Sequence, residues 1–551
     1  MRSLAIKRCL THSSFVAFGL DLLNTALRRR RFDFKDANVL SRLESIVPVV
    51  GNTLYSTNAA VLTLGLRCTA GLAVCPLKAM EKAVPVVVRQ AIEIVKQAGN
   101  TDSELVQVAF KSLATVLRDG PPVQVKEKDL VFLLELVTPD LEEPSRQASV
   151  FALLRAIVSR KFVVPEIYDL MEKVSEISVI SQSPQVQELC RNVLLQFLLD
   201  YPQGKGRLRT QMAFFAKNLN YIHESGRLSI MEVLGALISK FTEGLVFEYA
   251  DMLFVALVMV VANDESSKCR EQASQLIKSL YLRLDQEKQK AVISHLHTWA
   301  TQKSRPQLTW VSSQVAGFLV DAAQTAIAPY VGQILDDLMA SLRMSNATIA
   351  FAADSDDENQ MDVELEWQLP YYALTVLSKI IRVFPELSTN NEKVAWNLVV
   401  SHLLFPHAWV RTTSCRLLGV LYSAVPVALP RSDLPADHPL SRIGMQQTAR
   451  NLTEQLKSKH LEEMLGLQIV KNLFYIGKCF SLIPPAEKAD VEHDAEDLLV
   501  GDASVSNDVI LANEGQLKEL SNPLPWLFSK LSYQIRSAHI ARRSRANAKV
   551  G

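Results

Sequence analysis

The chain has 551 residues, 48% of them hydrophobic, with 59 Lys and Arg against 58 Asp and Glu for a formal net charge of +1. That length exceeds what one compact core holds, so the chain divides into domains or extends by repetition, and 20 Gly and 23 Pro leave little material for the tight turns of an all-β fold. The near-neutral balance makes any charge signal local, while seven scattered cysteines (Cys9, Cys68, Cys75, Cys190, Cys269, Cys415 and Cys479) with no C-x-x-C pair argue against a disulfide framework or zinc site and for a reducing compartment.

At the N-terminus, Arg2, Lys7 and Arg8 precede the first acid, Asp21, a composition compatible with a transit peptide. The same stretch, however, runs on into an amphipathic helix that ends at Arg28-Arg29-Arg30-Arg31. Asp36 is placed to cap a helix whose apolar residues Val39, Leu40, Leu43, Ile46, Val47 and Val50 recur at helical spacing. Thr101-Asp102-Ser103-Glu104 opens another, carrying Leu105, Ala109, Leu113, Val116 and Leu117, and Asp119-Gly120-Pro121-Pro122 stops it because two prolines cannot continue a helix.

A shared pattern then recurs: a polar or proline-bearing start, an arginine, a small or apolar residue three later, and paired apolar positions. It is read at Arg146 with Ser149, Leu153 and Leu154, at Arg191 with Leu194, Phe197 and Leu198, at Arg270 with Ala273, Leu276 and Ile277, and at Arg411 with Ser414, Leu417 and Leu418; Gln107 stands in the arginine place of a weaker copy. The arginines are separated by 45, 79 and 141 residues, near one, two and three units of the roughly 40–47-residue period of HEAT and armadillo arrays. The expected fold is therefore all-α, a HEAT/armadillo-like helical-repeat solenoid, with Arg146, Arg191, Arg270 and Arg411 as structural repeat anchors. A lone helix pair cannot bury its apolar face, so neighbours stack into a continuous core and offer an extended surface to large partners.

Between the second and third copies lies a basic stretch with interleaved aromatics. Lys205, Arg207, Arg209, Lys217 and Arg227 stand against the single acid Glu224, with Phe214, Phe215 and Tyr221 among them, a pattern that suits either a phosphate backbone or a solvated helix face over buried rings. Tyr201-Pro202-Gln203-Gly204-Lys205-Gly206-Arg207 lacks the spacing and the preceding strand of a Walker phosphate loop. Further along, the apolar run Met252 to Ala262 is shorter than the ~20 residues of a spanning helix and reads as a buried one. His295 and His297, two apart on a helix, point away from each other and make a poor metal pair.

Two acidic segments interrupt the pattern. Residues 353–366 hold seven acids and no base and are expected to form a disordered loop; within them Ser355-Asp356-Asp357-Glu358 has the spacing acidophilic kinases prefer, though a solvated loop explains it equally. After Pro484-Pro485, eight acids from Glu487 to Asp508 face only Lys488, an expected linker over 485–515. The organisation is thus repeats over 1–352, the acidic loop 353–366, further repeats over 367–484, the linker 485–515, and a C-terminal helix and basic tail over 516–551. That tail carries Arg536, Arg542, Arg543, Arg545 and Lys549, suited to RNA or to nuclear localisation. No Cys, Ser or Lys has a nucleophile's motif context, and neither G-x-S-x-G nor H-E-x-x-H occurs, so no catalytic residue, metal or cofactor is assigned.

Asp200-Tyr201-Pro202-Gln203-Gly204-Lys205-Gly206-Arg207-Leu208, then Phe214-Phe215-Ala216-Lys217-Asn218-Leu219 and Glu224-Ser225-Gly226-Arg227-Leu228-Ser229, resemble the C-terminal HEAT-repeat region of component 20 of the small-subunit processome, the down-regulated-in-metastasis protein family. The resemblance covers about two thirds of the chain. It implies a non-enzymatic scaffold of the 90S preribosome in the nucleolus, acting in small-subunit ribosomal RNA processing, with preribosomal RNA and processome proteins as partners and no membrane or small-molecule substrate. RNA contacts are then expected at Lys205, Arg207, Arg209, Lys217, Arg227, Arg536, Arg542, Arg543, Arg545 and Lys549. It also implies that the family's long N-terminal solenoid is missing, that Met1 falls inside a repeat as in a truncated gene model or paralogous fragment, and that a longer lysine-rich extension is reduced to the Arg536–Lys549 cluster. HEAT-type arrays also serve as nuclear transport receptors and phosphatase scaffolds, which stand as the alternative because fold does not fix function.

Overall fold

The computed structural model describes residues 13–99, 101–302, 304–354, 366–390, 392–456, 461–484 and 523–533. Every extended regular element among them is a helix. The chain divides after Leu276 into two units. The first holds α1 (Ser13–Arg28), α2 (Ala37–Asn52), α3 (Ala59–Ala73), α4 (Lys78–Ala98), α5 (Glu104–Asp119), α6 (Glu127–Val137), α7 (Gln147–Ser159), α8 (Pro165–Ile180), α9 (Pro184–Asp200), α10 (Lys205–Asn218), α11 (Glu224–Lys240), α12 (Glu243–Asn263) and most of α13 (Ser267–Leu282). The second holds α14 (Gln286–Ala300), α15 (Pro306–Ala323), α16 (Val331–Asp354), α17 (Gln368–Val383), α18 (Trp396–Ser401), α19 (Ala408–Ala424), α20 (Arg442–Gln455) and α21 (Glu463–Ser481), followed by a helix over 523–533.

Local sequence sets the helix ends where the pattern predicts them. The Asp36 carboxylate accepts from Asn38 N at 2.8 Å to cap α2, and the Ser103 hydroxyl accepts from Val106 N at 3.3 Å to cap α5; each satisfies a first-turn amide that has no partner inside the helix. Within each unit the helices form two rows. In the first unit α1 packs on α3, α3 on α5, α5 on α7, α7 on α9 and α9 on α11, while α2 packs on α4, α6 on α8 and α10 on α12. In the second, α15 packs on α17, α17 on α19 and α19 on α21, with α14 on α16 and α16 on α18 in the other row. Each unit is therefore an all-α helical-repeat array. Helices of the first row are covered on several sides, which is why α5 buries Val106, Val108, Phe110, Leu113, Val116 and Leu117 rather than one narrow stripe.

A recurrent side-chain brace fixes the repeat register. The side-chain amides of Gln107, Gln147 and Gln187 donate to the backbone carbonyl six residues earlier (Thr101, 2.9 Å; Leu141, 2.7 Å; Ser181, 2.8 Å). Guanidinium Nη1 atoms of Arg227, Arg270 and Arg411 do the same to Tyr221 (2.8 Å), Asp264 (2.6 Å) and Phe405 (2.8 Å). The first five braces fall at intervals of 40, 40, 40 and 43 residues. Each ties the first turn of its helix to the loop before it, satisfying a carbonyl that no helix provides for.

Of the four expected anchors, Arg270 and Arg411 occupy the brace and Arg146 and Arg191 do not. Arg146 stands one residue before the brace glutamine, where it bonds the buried Asp140 at 2.8 Å, Thr101 Oγ1 at 3.1 Å and Asp102. Arg191 stands one helical turn after its brace and pairs with Glu232 of α11. The difference has a simple physical cause: glutamine and arginine both present an N–H donor at the end of a long stem, so a search for arginine alone picks neighbouring arginines where glutamine does the work.

By length and composition α12 could cross a membrane, though only half of its most apolar stretch is buried. That face, including Val246, Leu253, Phe254, Leu257 and Val261, lies in the core, and α12 packs on α10, as expected for the Met252–Ala262 run. Helix α16 continues through Asp354, so the acidic segment begins two residues inside a helix; residues 355–365 and the 485–515 linker lie outside the described residues. Of the 516–551 segment, 523–533 is a helix with Trp526 and Leu527 buried, and Arg450 of α20 sits 5.7 Å from the Trp526 ring.

Candidate nucleic-acid interface

The basic stretch of the first unit is built on a rigid base of aromatic rings. Helix α9 ends at Asp200, and Tyr201 turns inward, 3% exposed, with its hydroxyl donating to Phe162 O at 2.8 Å. Tyr168 of α8 packs on Phe197 and Tyr201, centroids 5.8 and 5.6 Å away, and donates its hydroxyl to Pro202 O at 2.9 Å. The D-Y-P-Q-G-K-G-R stretch is thus a fixed turn between two helices. It has no strand before it, as the absence of a Walker spacing implied.

From that turn α10 projects with no carboxylate in its sequence and three exposed cations, Arg207, Arg209 and Lys217. Arg207 lies over the Tyr168 ring at 3.9 Å, which orients the guanidinium while leaving its N–H edge exposed. Arg209 and Lys217 have no ion-pair partner among the described residues. Two of the basic residues, Lys205 and Arg207, stand in the first turn, where the helix dipole favours acids instead. Gly204 offers that turn no side-chain cap, and space is open around both Gly204 and Gly206. Uncapped amides, an approachable backbone and adjacent cations together make a positive site for an anion.

Arg227 is not part of this surface. Besides its brace to Tyr221 O and Ile222 O, it pairs with Asp264 at 2.7 Å, the two side chains 14% and 5% exposed. It is withdrawn from the expected RNA contacts and joins the braces. The partner lies 37 residues downstream, and nothing near Arg227 in sequence announces it; only the repeat register does. Gly226 beside it is required by packing, since a Cβ there would stand 2.4 Å from Val179 O. Phe215 is buried and Phe214 and Tyr221 half-buried, so these rings belong to the core more than to a stacking surface. Arg536, Arg542, Arg543, Arg545 and Lys549 lie outside the described residues, as does the side chain of Lys205.

Among the described residues, the cysteines are shielded and the two neighbouring histidines serve separate contacts. Burial pushes the thiols of Cys68, Cys190 and Cys415 up to about 12 and raises those of Cys75, Cys269 and Cys479, the reverse of what a nucleophilic thiolate needs. His297 contacts Asp337 at 2.8 Å while His295 stacks on Trp299, so the two histidines diverge. Among the described residues no three His, Cys, Asp or Glu side chains gather as metal ligands.

No protein-family model matches the chain. Its sequence is similar to U3 small nucleolar RNA-associated protein 20 of Schizosaccharomyces pombe, 31% identical over 453 residues, covering 82% of this chain and 18% of that protein. The protein of the same name from Saccharomyces cerevisiae is 29% identical over 470 residues, 85% of this chain and 18% of its own length. The chain therefore spans about a fifth of the curated relatives it matches, and the resemblance drawn from Asp200 to Ser229 is borne out. Among solved structures, Kap121p bound to Nup53p covers 97% of this chain and 52% of its own at 13% identity and a TM-score of 0.42, and an engineered protein covers 86% of this chain at 16% identity and 0.34; likenesses of that order carry no functional argument.

Proposed function

We propose that this chain, as a homologue of one segment of U3 small nucleolar RNA-associated protein 20, acts in ribosome biogenesis as a non-enzymatic scaffold of the small-subunit processome in the nucleolus. The observation that carries the reading is α10, which sets three exposed cations and an uncapped helix start on a fixed aromatic base, with no acid in the helix. Its work is geometric. Arg207, Arg209 and Lys217 neutralise phosphates of preribosomal RNA without reading sequence, and the braced helices hold that contact at a set distance from other surfaces of the same unit, where processome proteins dock. The shape of the array needs no cofactor or bound metal for this.

Two experiments test it. Depletion of the protein should lower small-subunit ribosomal RNA and accumulate its precursors; unchanged precursor patterns would refute the ribosomal role. Charge reversal at Arg207 and Arg209 should weaken RNA retention and flatten its salt dependence by about 0.7 per lost phosphate contact on a single strand. Retention unaltered by that variant would return these arginines to a solvated face.

A further inference from the structure

We propose that the second unit carries its own binding site for an RNA phosphate backbone, a cleft of about 470 Å³ on which Arg382, Arg416 and Lys471 converge. The site rests on the ribosomal reading for the identity of its anion, and on its own geometry for its existence.

Three consecutive first-row helices supply one cation each. Arg382 lies in the last turn of α17, Arg416 in the middle of α19 and Lys471 in the middle of α21, and the side chains are exposed. The rest of the lining includes Gly419, Ser423 and Gln468 and contains no carboxylate. None of the three cations has an ion-pair partner among the described residues. The contrast within the same unit is direct: Lys379, one turn before Arg382, reaches Asp321 at 2.7 Å, and Lys278 shares that carboxylate at 3.8 Å. Lys379 and Lys278 are thus neutralised by an acid, and Arg411 is spent on the carbonyls of its brace, whereas the cations of the cleft have neither among the described residues.

The floor of the cleft is held in place. The Gln468 amide crosses α19 at Gly419, where a Cβ would meet its Nε2 at 2.1 Å, so glycine is what lets the two helices approach. Gln468 Nε2 donates to Asn472 Oδ1 at 3.1 Å, and the buried Asn472 donates to Cys415 O at 2.9 Å. This chain of amides fixes α21 against α19 and so sets the spacing of the backbones that carry Lys471 and Arg416. Three like charges around one concavity repel one another until an anion enters. The lining has no aromatic ring on which a base could stack, so the cleft suits phosphates read without regard to sequence, and a strand crossing three helices would meet one cation from each.

The test uses the full chain and a fluorescently labelled oligouridine, followed by anisotropy across a salt series. Wild type is compared with the triple variant Arg382→Gln, Arg416→Gln, Lys471→Gln and with a control of equal charge change at exposed residues of the first unit, Lys82→Gln, Arg89→Gln, Lys173→Gln. The cleft variant should bind more weakly at low salt, with the log–log salt slope reduced by about 2 for three lost single-strand contacts, while the control keeps the wild-type slope. The single reversal Arg416→Glu, at an exposed position, should lower the slope in the same direction. Equal slopes for cleft variant and wild type overturn the site and leave the ribosomal reading standing. A wild-type chain that binds no oligouridine overturns both. Loss of binding to a polyaspartate peptide, with oligouridine binding unchanged, overturns the RNA assignment in favour of an acidic protein partner.

Discussion

Arg227 separates the structural from the RNA-binding role of a basic residue most sharply, because the two make opposite predictions for stability and salt dependence. Its guanidinium bonds two loop carbonyls and a carboxylate that is 5% exposed. Truncation by Arg227→Ala strands the Asp264 charge with only the Ser266 amide at 2.8 Å to support it, and breaking a buried pair on one side costs about 3–5 kcal/mol. Arg227→Gln is milder, since glutamine at the equivalent places in α5, α7 and α9 makes the same bond to the carbonyl six residues earlier; it loses the carboxylate contact, worth about 1–3 kcal/mol. Chemical denaturation followed by far-ultraviolet circular dichroism should therefore rank wild type above Gln and Gln above Ala, with the salt slope of RNA binding for the Gln variant unchanged. Full stability in both variants with a flattened salt slope would refute the brace and restore Arg227 to the RNA surface.

Gly226→Ala should destabilise the first unit by at least about 1–3 kcal/mol, the range for overpacking, because the new methyl meets Val179 O and the Tyr221 ring; a denaturation midpoint equal to wild type would show that the helices relax freely. In the second unit, His402 donates from Nδ1 to Leu398 O at 2.6 Å and accepts from Ser345, while His438 donates from Nε2 to Ser388 O at 3.1 Å and accepts from Leu440 N. Burial lowers both pKa values, so the unfolded chain binds these protons first, and stability should be intact above the ordinary histidine range near 6.5 and fall below it by up to ~1.4 kcal/mol per pH unit for each histidine. Denaturation midpoints at neutral and mildly acidic pH test this, and His402→Gln with His438→Gln should flatten the difference. Finally, Cys415, with its thiol pushed up to about 12, should react with a soluble maleimide far more slowly than a free thiol until denaturant is added; fast labelling of the folded chain would contradict its burial.

The repeat architecture was legible because it is written in local physics. Asp36, Ser103 and the Pro121-Pro122 stop determine where helices begin and end, and apolar spacing determines which face goes inward, all within one turn of the residue concerned. The register was only half legible, since the brace needs an N–H donor rather than an arginine, and Gln147 and Gln187 satisfy it as well as Arg270. What lay beyond reach is contact between repeats. Tyr168 under Arg207 and Asp264 beside Arg227 come from 39 and 37 residues away, and the Arg382, Arg416 and Lys471 cleft gathers three cations that sit in separate helices with ordinary neighbours. A charge cluster in sequence, as at 204–227, mixes residues that the fold sends to the surface with one that it buries.

Ultraviolet crosslinking of the intact protein in cells, with sequencing of the bound RNA and mapping of the crosslinked peptides, tests the scaffold account most directly. The account predicts recovery of small-subunit ribosomal RNA precursor, with crosslinked peptides on α10 and beside the α17, α19 and α21 cleft. Crosslinks spread over abundant cellular RNAs in proportion to their amount, or none above background, would contradict it.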